Sequence, residues 1–400
     1  MANTILTPTA VTREALRILH QKLNFVGNIN RTYDSSYAQS GAKIGDSLKI
    51  RLPNEYTVRS GANLSTQDVT ETSVTMQVAT QKGVDVTFSS AELTLSLDDF
   101  SSRILEPAMS VLAANVEADS LNMYKDVYNL YDQDGTAFTL ASILGGRKVM
   151  NDNLAPLDNN RTAIMSTDHA VKLITDTKGL FQDSATIAKQ YKEAIIGRTA
   201  GYDVYENTLL VNHATGTAAK TTTYTVNGAV TTNGATSVTV ATGTTTFKQG
   251  DVFTVAGCFR VHPETKVSTG VLQQFVVTAD YAGGAGSVSF APAIYTSGGK
   301  QNVVAAGMAN GSAIVKVGAG ASENLTNSLL FHRDAFAFAT ADLVMPKGVD
   351  FAAREVMDGL SLRIVRQYAI STDTMPCRID ILYGYKAIRP QLACRLHADG

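Results

Sequence analysis

Apolar side chains change their spacing along the chain, and the spacing predicts where helices give way to strands. After an extended piece containing Pro8, Ala15, Leu16, Leu19 and Leu23 recur at helical intervals beside Arg13, Glu14, Gln21 and Lys22, predicting a short amphipathic helix. From Leu48 to Leu52 the period drops to two, with Lys49 and Arg51 between the apolar positions, and Val74, Met76 and Val78 alternate in the same way with Thr75, Gln77 and Ala79. Two strands are implied. The segment between them, Asn54 to Ser73, is mostly polar and includes Glu55, Arg59, Ser60 and Gly61. At about twenty residues it is too long for a tight hairpin turn, and a loop of that length without a core of its own calls for a partner surface, with a disordered surface loop the alternative.

Val84, Val86 and Phe88 continue the strand pattern, and Ser96-x-x-Asp99 then supplies a capping box ahead of a long helical run. From Leu97 to Val127 the positions Phe100, Ile104, Ala108, Val111, Leu112 and Val116 form one stripe, with Asp99, Arg103, Glu117 and Lys125 mostly elsewhere. At ~1.5 Å per residue this predicts a rod of about 45 Å. Pro107 falls inside it, and the lost donor and ring crowding predict a bend or break near Arg103 to Glu106.

Helix and strand signals alternate between Phe138 and Leu210: a helix over Ala141–Asn151, a strand over Thr162–Met165, and a helix opened by Ser166-Thr167-Asp168. A further helix over Ala185–Ile196 stops at Gly197, before a strand around Tyr202–Tyr205. The pattern then changes to a Thr-rich stretch over 219–250. Asn227-Gly228, Asn233-Gly234 and Asn310-Gly311 are hairpin-turn dipeptides, and short alternating runs appear at Val252–Val255, Phe275–Thr278, Val288–Phe290 and Ile314–Val317. An antiparallel barrel or sandwich spanning 212–320 is predicted, inserted into an α+β fold where the two ends of an insert can lie close together. The chain closes with a strand near Ser328–Phe331, a short helix at Ala335–Ala341, and β-like runs over Ser361–Tyr368 and Cys377–Tyr385. No internal repeat is visible.

Composition narrows the function. Only 18% of residues are charged against 44% hydrophobic, below the roughly 25% charged fraction of average soluble proteins, so much of the surface is neutral. That suits burial against neighbours and equally a monomer on which Thr, Ser, Asn and Gly replace charges. Net charge is -2 with pI 6.3 and no Lys/Arg run, which argues against tight direct binding of nucleic acid. The opening residues lack a secretory pattern and no apolar stretch approaches membrane-spanning length, implying a protein made and kept in a cytoplasm. Cys258, Cys377 and Cys394 offer neither a disulfide framework nor a C-x-x-C pair, and read as small buried side chains.

Chemistry is hard to find. The histidines His20, His169, His213, His262, His332 and His397 are scattered, with no H-E-x-x-H and no pair on one helix face, so no metal site is expected. Asp98-Asp99 suits the positive end of a helix dipole better than acid–base work. Gly318-Ala319-Gly320 lacks the third glycine of a dinucleotide fingerprint, Gly283-Gly284-Ala285-Gly286 reads as a turn, and neither G-x-S-x-G nor a phosphate-binding P-loop occurs. Neither catalytic nor cofactor-binding residues are assigned, which favours a structural or interaction protein over an enzyme.

An arm, a long polar-tipped hairpin, a spine helix, an α+β domain and a Thr/Gly-rich β insert follow one another in an order that resembles the coat proteins of the phage P-twenty-two type. Those proteins elaborate the Hong Kong ninety-seven capsid fold. The wording is similar too, in MANTILTPTAVTREALRILHQKLNFVGNINR at the start, GAKIGDSLKIRLPNEYTVRSG before the hairpin tip, and ILYGYKAIRPQLACRL near the close. The resemblance implies an N-terminal arm over 1–41, an extended loop hairpin with flanking strands over 42–92 and a peripheral-domain spine helix over 93–135. It further implies the first part of an axial domain over 136–211, an inserted β-barrel over 212–320, and completion of the axial and peripheral domains over 321–400.

It also implies a major capsid protein of the virion, with no enzymatic role. Such a protein self-assembles into pentameric and hexameric capsomers on a scaffolding protein, in the bacterial host cytoplasm and without a membrane, and the shell receives double-stranded DNA, held non-specifically, through a portal protein. No covalent cross-link is implied. Arg13 and Lys22 in the arm, Glu55 and Arg59 at the loop tip, and Lys248 and Asp251 in the insert are candidate intersubunit contacts, with a solvated surface charge the alternative for each, and Pro107 is a candidate hinge. The rival readings are another phage structural protein, such as a tail or decoration component, and an enzyme with scattered active-site residues.

Overall fold

In the computed structural model of the chain, residues 8–32, 47–64, 66–67, 71–88, 105–177, 197–241, 243–318, 320–357, 360–371 and 374–399 are described. Two units divide the chain. One comprises Met1–Ile50, Ser73–Asn122 and Phe336–Ile388, and the other Arg51–Thr72, Met123–Ala335 and Arg389–Gly400.

The N-terminal helix α1 (Pro8–Lys22) turns Ala15, Leu16 and Leu19 inward, as its spacing predicts, and Val11 and Ile18 with them. It begins at Pro8, where an extended piece is expected, because proline suits a first helical turn. Leu23 is buried just past its end, before a single-turn helix α2 (Phe25–Asn28). Strands β1 (Ser47–Arg51) and β2 (Ser73–Gln77) pair as a two-stranded ribbon, and β3 (Thr80–Phe88) comes next. Helix α3 (Glu106–Leu121) buries Met109, Leu112, Ala113 and Val116, then tightens into a 3-10 turn over Asn122–Asp126. Pro107 stands in the first turn of α3. There its missing N–H has no intrahelical partner to lose and its fixed φ suits a helix start, so the described helix begins with it, while Arg103 and Ile104, where the spacing places the start of a bend or break, lie outside the described residues. The capping box at Ser96 and Asp99 lies outside the described residues.

Strand β4 (Leu130–Ala137), helix α4 (Leu140–Asp152), strand β5 (Arg161–Met165) and helix α5 (Thr167–Thr177) reproduce the mixed pattern, with β4 an addition to it. Helix α4 starts where Thr139 and Ser142 form a reciprocal capping box. The expected helix over Ala185–Ile196 lies outside the described residues. Strands β6 (Arg198–Thr199), β7 (Tyr202–Glu206) and β8 (His213–Ala214) lead into the insert. The insert contains β9 (Thr222–Val226), β10 (Ala235–Ala241), β11 (Val252–Val261), β12 (Ser268–Val277), β13 (Gly286–Ile294) and β14 (Ala313–Val317). The chain returns through β15 (Asn324–Leu325), β16 (Asn327–His332), β17 (Phe336–Thr340), β18 (Phe351–Met357), β19 (Leu360–Arg366), β20 (Met375–Ala387) and β21 (Ala393–Asp399).

The predicted helix at Ala335–Ala341 is not formed. A 3-10 turn over Arg333–Ala335 precedes strand β17, whose five residues are all buried and pair antiparallel with Tyr383–Ala387 of β20. A short apolar run such as FAFAT fits a buried strand or a buried helix equally well until a partner strand is present.

In the first unit, β20 is the central strand: β19 and β3 flank it over its first half, β17 pairs with its end, and β18 lies beyond β19. Asp119 of α3 ties this sheet to its helix, accepting from the Tyr383 hydroxyl at 2.5 Å and from Lys82 at 2.7 Å. In the second unit a six-stranded sheet runs β4-β21-β16-β5-β7-β6, with β4/β21 and β5/β7 parallel. Helix α4 lies close against it. A Cβ on Gly145 would meet the Tyr131 ring at 2.1 Å, and one on Gly146 would meet Leu396 and Leu330 at 2.5 and 2.6 Å. A side chain at either position would push these neighbours aside.

The insert closes into a barrel of order β10-β13-β12-β11-β14-β9. Its interior is filled by Phe247, Phe253, Phe275 and Phe290 with Tyr224 and the inward valines. Phe275 and Phe290 meet edge to face at 5.0 Å. Alternation explains the composition: Val238 and Val240 point in while Thr239 points out, so threonine supplies the neutral outer face.

Candidate assembly surfaces

The segment Arg51–Thr72, between β1 and β2, is a shaped loop. Leu52 donates to the Thr72 carbonyl at 2.8 Å, and the Gln67 side-chain amide acts as a second rung, accepting from Thr57 N–H at 2.9 Å and donating to its carbonyl at 2.6 Å. At the tip, the Arg59 guanidinium holds the carbonyls of Gly61 and Asn63. Around this frame Val58 is 93% exposed and Leu64 84%, with Tyr56 also largely in solvent. Apolar side chains this exposed on a loop are ready to be covered by another surface.

The predicted contact residues are scattered, and the structure does not gather them into one site. Arg13 of α1 is exposed with Glu355 at 3.7 Å, and Lys22 lies 3.9 Å from Glu106. Glu55 at the loop base faces Lys266 of the barrel at 3.9 Å. Lys248 is exposed and paired with Asp280 at 2.7 Å.

Asp251 corrects its prediction. It is 2% exposed, and its carboxylate is occupied within the chain by His213 Nε2 at 3.0 Å and by the backbone N–H groups of Lys248 and Gly216 at 2.8 and 3.0 Å. A carboxylate buried this deeply and already held by three donors is out of reach of a neighbouring copy. Its pKa is held below the usual value because these hydrogen bonds outweigh the burial that would raise it.

The spacing of residues gave no hint of three buried groups. Glu117 of α3 accepts from the backbone N–H groups of Phe25 and Val26, the latter at 3.3 Å, and so caps α2. Lys316 of β14 is buried and donates to the carbonyls of Ala218 and Gly320 at 3.0 and 2.8 Å, tying the strand that leaves the insert to the segment that enters it. His169 is buried against Phe138, stacked at 4.3 Å. Each takes its role from a partner distant in sequence.

Among the described residues no group of three or more His, Cys, Asp or Glu side chains could hold a metal ion, and no helix is long and apolar enough to cross a membrane. All three cysteines are buried, and burial pushes each thiol up to about 12, so these thiols stay protonated at neutral pH.

No curated protein matches the chain. Among solved structures it is similar to a chain of Mycobacterium phage Che8, at 11% identity and TM-score 0.47, covering 93% of this chain and 90% of that one. It is similar also to a chain in the mature capsid of bacteriophage PhiM1, at 10% identity and TM-score 0.41, over 91% and 84%. A smaller relative, the CUS-3 coat protein I-domain, is 26% identical with TM-score 0.19 and covers 24% of this chain and 96% of its own. The family model of the P22 coat protein, gene protein 5, matches residues 7–395. A match running through both units and the insert leaves no room for a tail or decoration role, and the family is a structural one: the chain belongs to the P22 coat protein family and is a phage major capsid protein.

Proposed function

We propose that copies of this chain assemble on an internal scaffolding protein, in the bacterial host cytoplasm, into pentameric and hexameric capsomers of an icosahedral shell. The shell encloses double-stranded DNA that enters through a portal protein, and the coat meets the DNA without base-specific contacts, in keeping with its net charge of -2. The supporting observation is the Arg51–Thr72 loop, whose exposed Tyr56, Val58 and Leu64 suit burial on a second copy. In this reading the subunit has the layout of the Hong Kong ninety-seven fold, with an arm, an extended loop, a peripheral domain carrying the spine helix, an axial domain and the inserted barrel.

A neutral surface supports it, because shells need many weak contacts of defined geometry from which misplaced copies can leave. Arg59 of the loop tip would turn from the carbonyls of its own loop to a neighbour, Glu55 would leave the largely buried Lys266, and Arg13, Lys22 and Lys248 would exchange an exposed intrachain pair for one across copies. Such exposed pairs cost little to give up, on the order of 1 kcal/mol or less. Pro107, at the start of α3, is the candidate pivot for that helix.

Negative-stain electron microscopy with sedimentation of the purified chain, alone and with its scaffolding protein, tests the proposal. Closed shells or capsomer-sized particles are expected. A stable monomer under both conditions would overturn it.

A further inference from the structure

The barrel is attached through β8 and β15, a two-residue ribbon in which Ala214 pairs with Asn324 and His213 with Leu325. So short a ribbon has little rigidity of its own. One of its side chains bridges outward in both directions. His213 is 4% exposed, its Nε2 lies 3.0 Å from Asp251 Oδ1 on the barrel, and its Nδ1 lies 3.2 Å from the hydroxyl of Tyr124, in the 3-10 turn ahead of β4. A carboxylate only accepts, so Nε2 carries the hydrogen. Nδ1 then presents a lone pair, and Tyr124 donates to it.

The charges around the ring come from every element packed on it. The 3-10 turn brings Lys125 and Asp126; the barrel brings Asp251, Lys248 and Lys316; and β21 brings Arg395. Arg395 is buried, its Nε and Nη2 have no hydrogen-bond partner among the described residues, and its guanidinium lies 6.0 Å from the Tyr124 ring. Burial holds His213 neutral, and Arg395 and Lys125 add to that effect against the pull of Asp251.

We propose that His213 is a proton-sensitive latch on the seating of the barrel. Neutral, it joins Tyr124 to Asp251 and holds the stalk in one arrangement. Protonated, it has no lone pair for the Tyr124 hydroxyl and adds a third positive charge beside Arg395 and Lys125, so the stalk opens. The barrel itself stays folded, because its core of Phe253, Phe275 and Phe290 includes none of the latch residues. Opening is confined to the stalk because Gln274 and Arg260 attach the barrel elsewhere, to Leu130 and to Asp152.

Amide hydrogen exchange of the full chain, read by mass spectrometry at about pH 7.5 and about pH 5.5 and corrected for intrinsic rates, tests this. Peptides over His213–Ala218 and Gly320–Leu325 should exchange about five- to tenfold faster at the lower pH, the effect of losing one hydrogen bond, while β11 and β12 stay protected. His213→Gln keeps a donor for Asp251 and an acceptor for Tyr124 but cannot gain a proton, so it should hold the stalk closed at both values. His213→Ala should open the stalk at both. Equal corrected exchange of the wild-type stalk at the two values, or an undiminished response in His213→Gln, would overturn the latch. Loss of protection in β11 and β12 of His213→Ala would also overturn it, by making His213 part of the barrel's own fold.

Discussion

The side-chain amide of Gln274 on β12 takes both hydrogen bonds that a neighbouring strand would make to Leu130 on β4. Its Oε1 accepts from Leu130 N–H at 2.7 Å and its Nε2 donates to the Leu130 carbonyl at 2.9 Å. Strand β4 is an edge of the six-stranded sheet, and an unpaired edge invites wrong partners. One glutamine thus closes the edge where the barrel meets the sheet, beside an apolar contact of Tyr128 and Leu130 with Val252 and Val276.

Replacing Gln274 by Leu keeps the bulk and leaves two backbone groups unpaired. The expected cost is about 1–3 kcal/mol, read as a lowered thermal midpoint with faster amide exchange at Leu130. An unchanged midpoint and unchanged exchange would show that water replaces the amide freely.

His169 makes stability depend on pH. It is buried between Phe138 and the sheet, its Nδ1 accepting from the Ser328 hydroxyl at 2.7 Å and its Nε2 donating to the Ala398 carbonyl at 3.2 Å. Burial lowers its pKa to about 4, below the 6.5 of an unhindered histidine. Above pH 6.5 the ring is neutral whether the chain is folded or unfolded, and the contribution is fully present. As pH falls from there toward 4 the unfolded chain takes up the proton first, and on the order of 3 kcal/mol is lost. Denaturant unfolding at several pH values should show this slope, reduced in His169→Gln.

Glu117→Ala should release the arm. Removing the carboxylate leaves the Phe25 and Val26 amides without their acceptor at the start of α2, at an expected cost of about 1–3 kcal/mol. Limited trypsin digestion should then cut faster at Arg13, Arg17 and Lys22, with Glu117→Gln intermediate. Cleavage rates equal to wild type would show that α1 and α2 are held by apolar packing alone.

Arg59→Ala separates assembly from stability. Among the described residues the guanidinium bonds to carbonyls of its own exposed tip, so unfolding of the monomer should change by less than about 0.5 kcal/mol. The yield of sedimenting particles should fall, because the tip loses the frame that sets its shape. Normal particle yield would remove the loop tip from the candidate contacts.

Spacing along the chain was enough for α1, for α4 and α5, for the strand alternation of the barrel and for the positions of its turns. Each of these reports a local relation: a buried stripe on a helix, inward valine against outward threonine, or glycine at the positive φ of Gly228, Gly234 and Gly311. Family membership was legible for the same reason, since it lies in the order of elements and the wording of segments. What spacing could not decide were relations between residues far apart. FAFAT became a strand because β20 lies beside it; β4 and β21 pair although Leu130 and its partner Arg395 lie far apart along the chain. Asp251 looked like a surface acid until the fold brought His213, Gly216 and Lys248 around its carboxylate. The two bonds on His213 and the two on Gln274 likewise exist only once the barrel is seated, because no local pattern encodes a hydrogen bond whose partners the folded chain alone brings together.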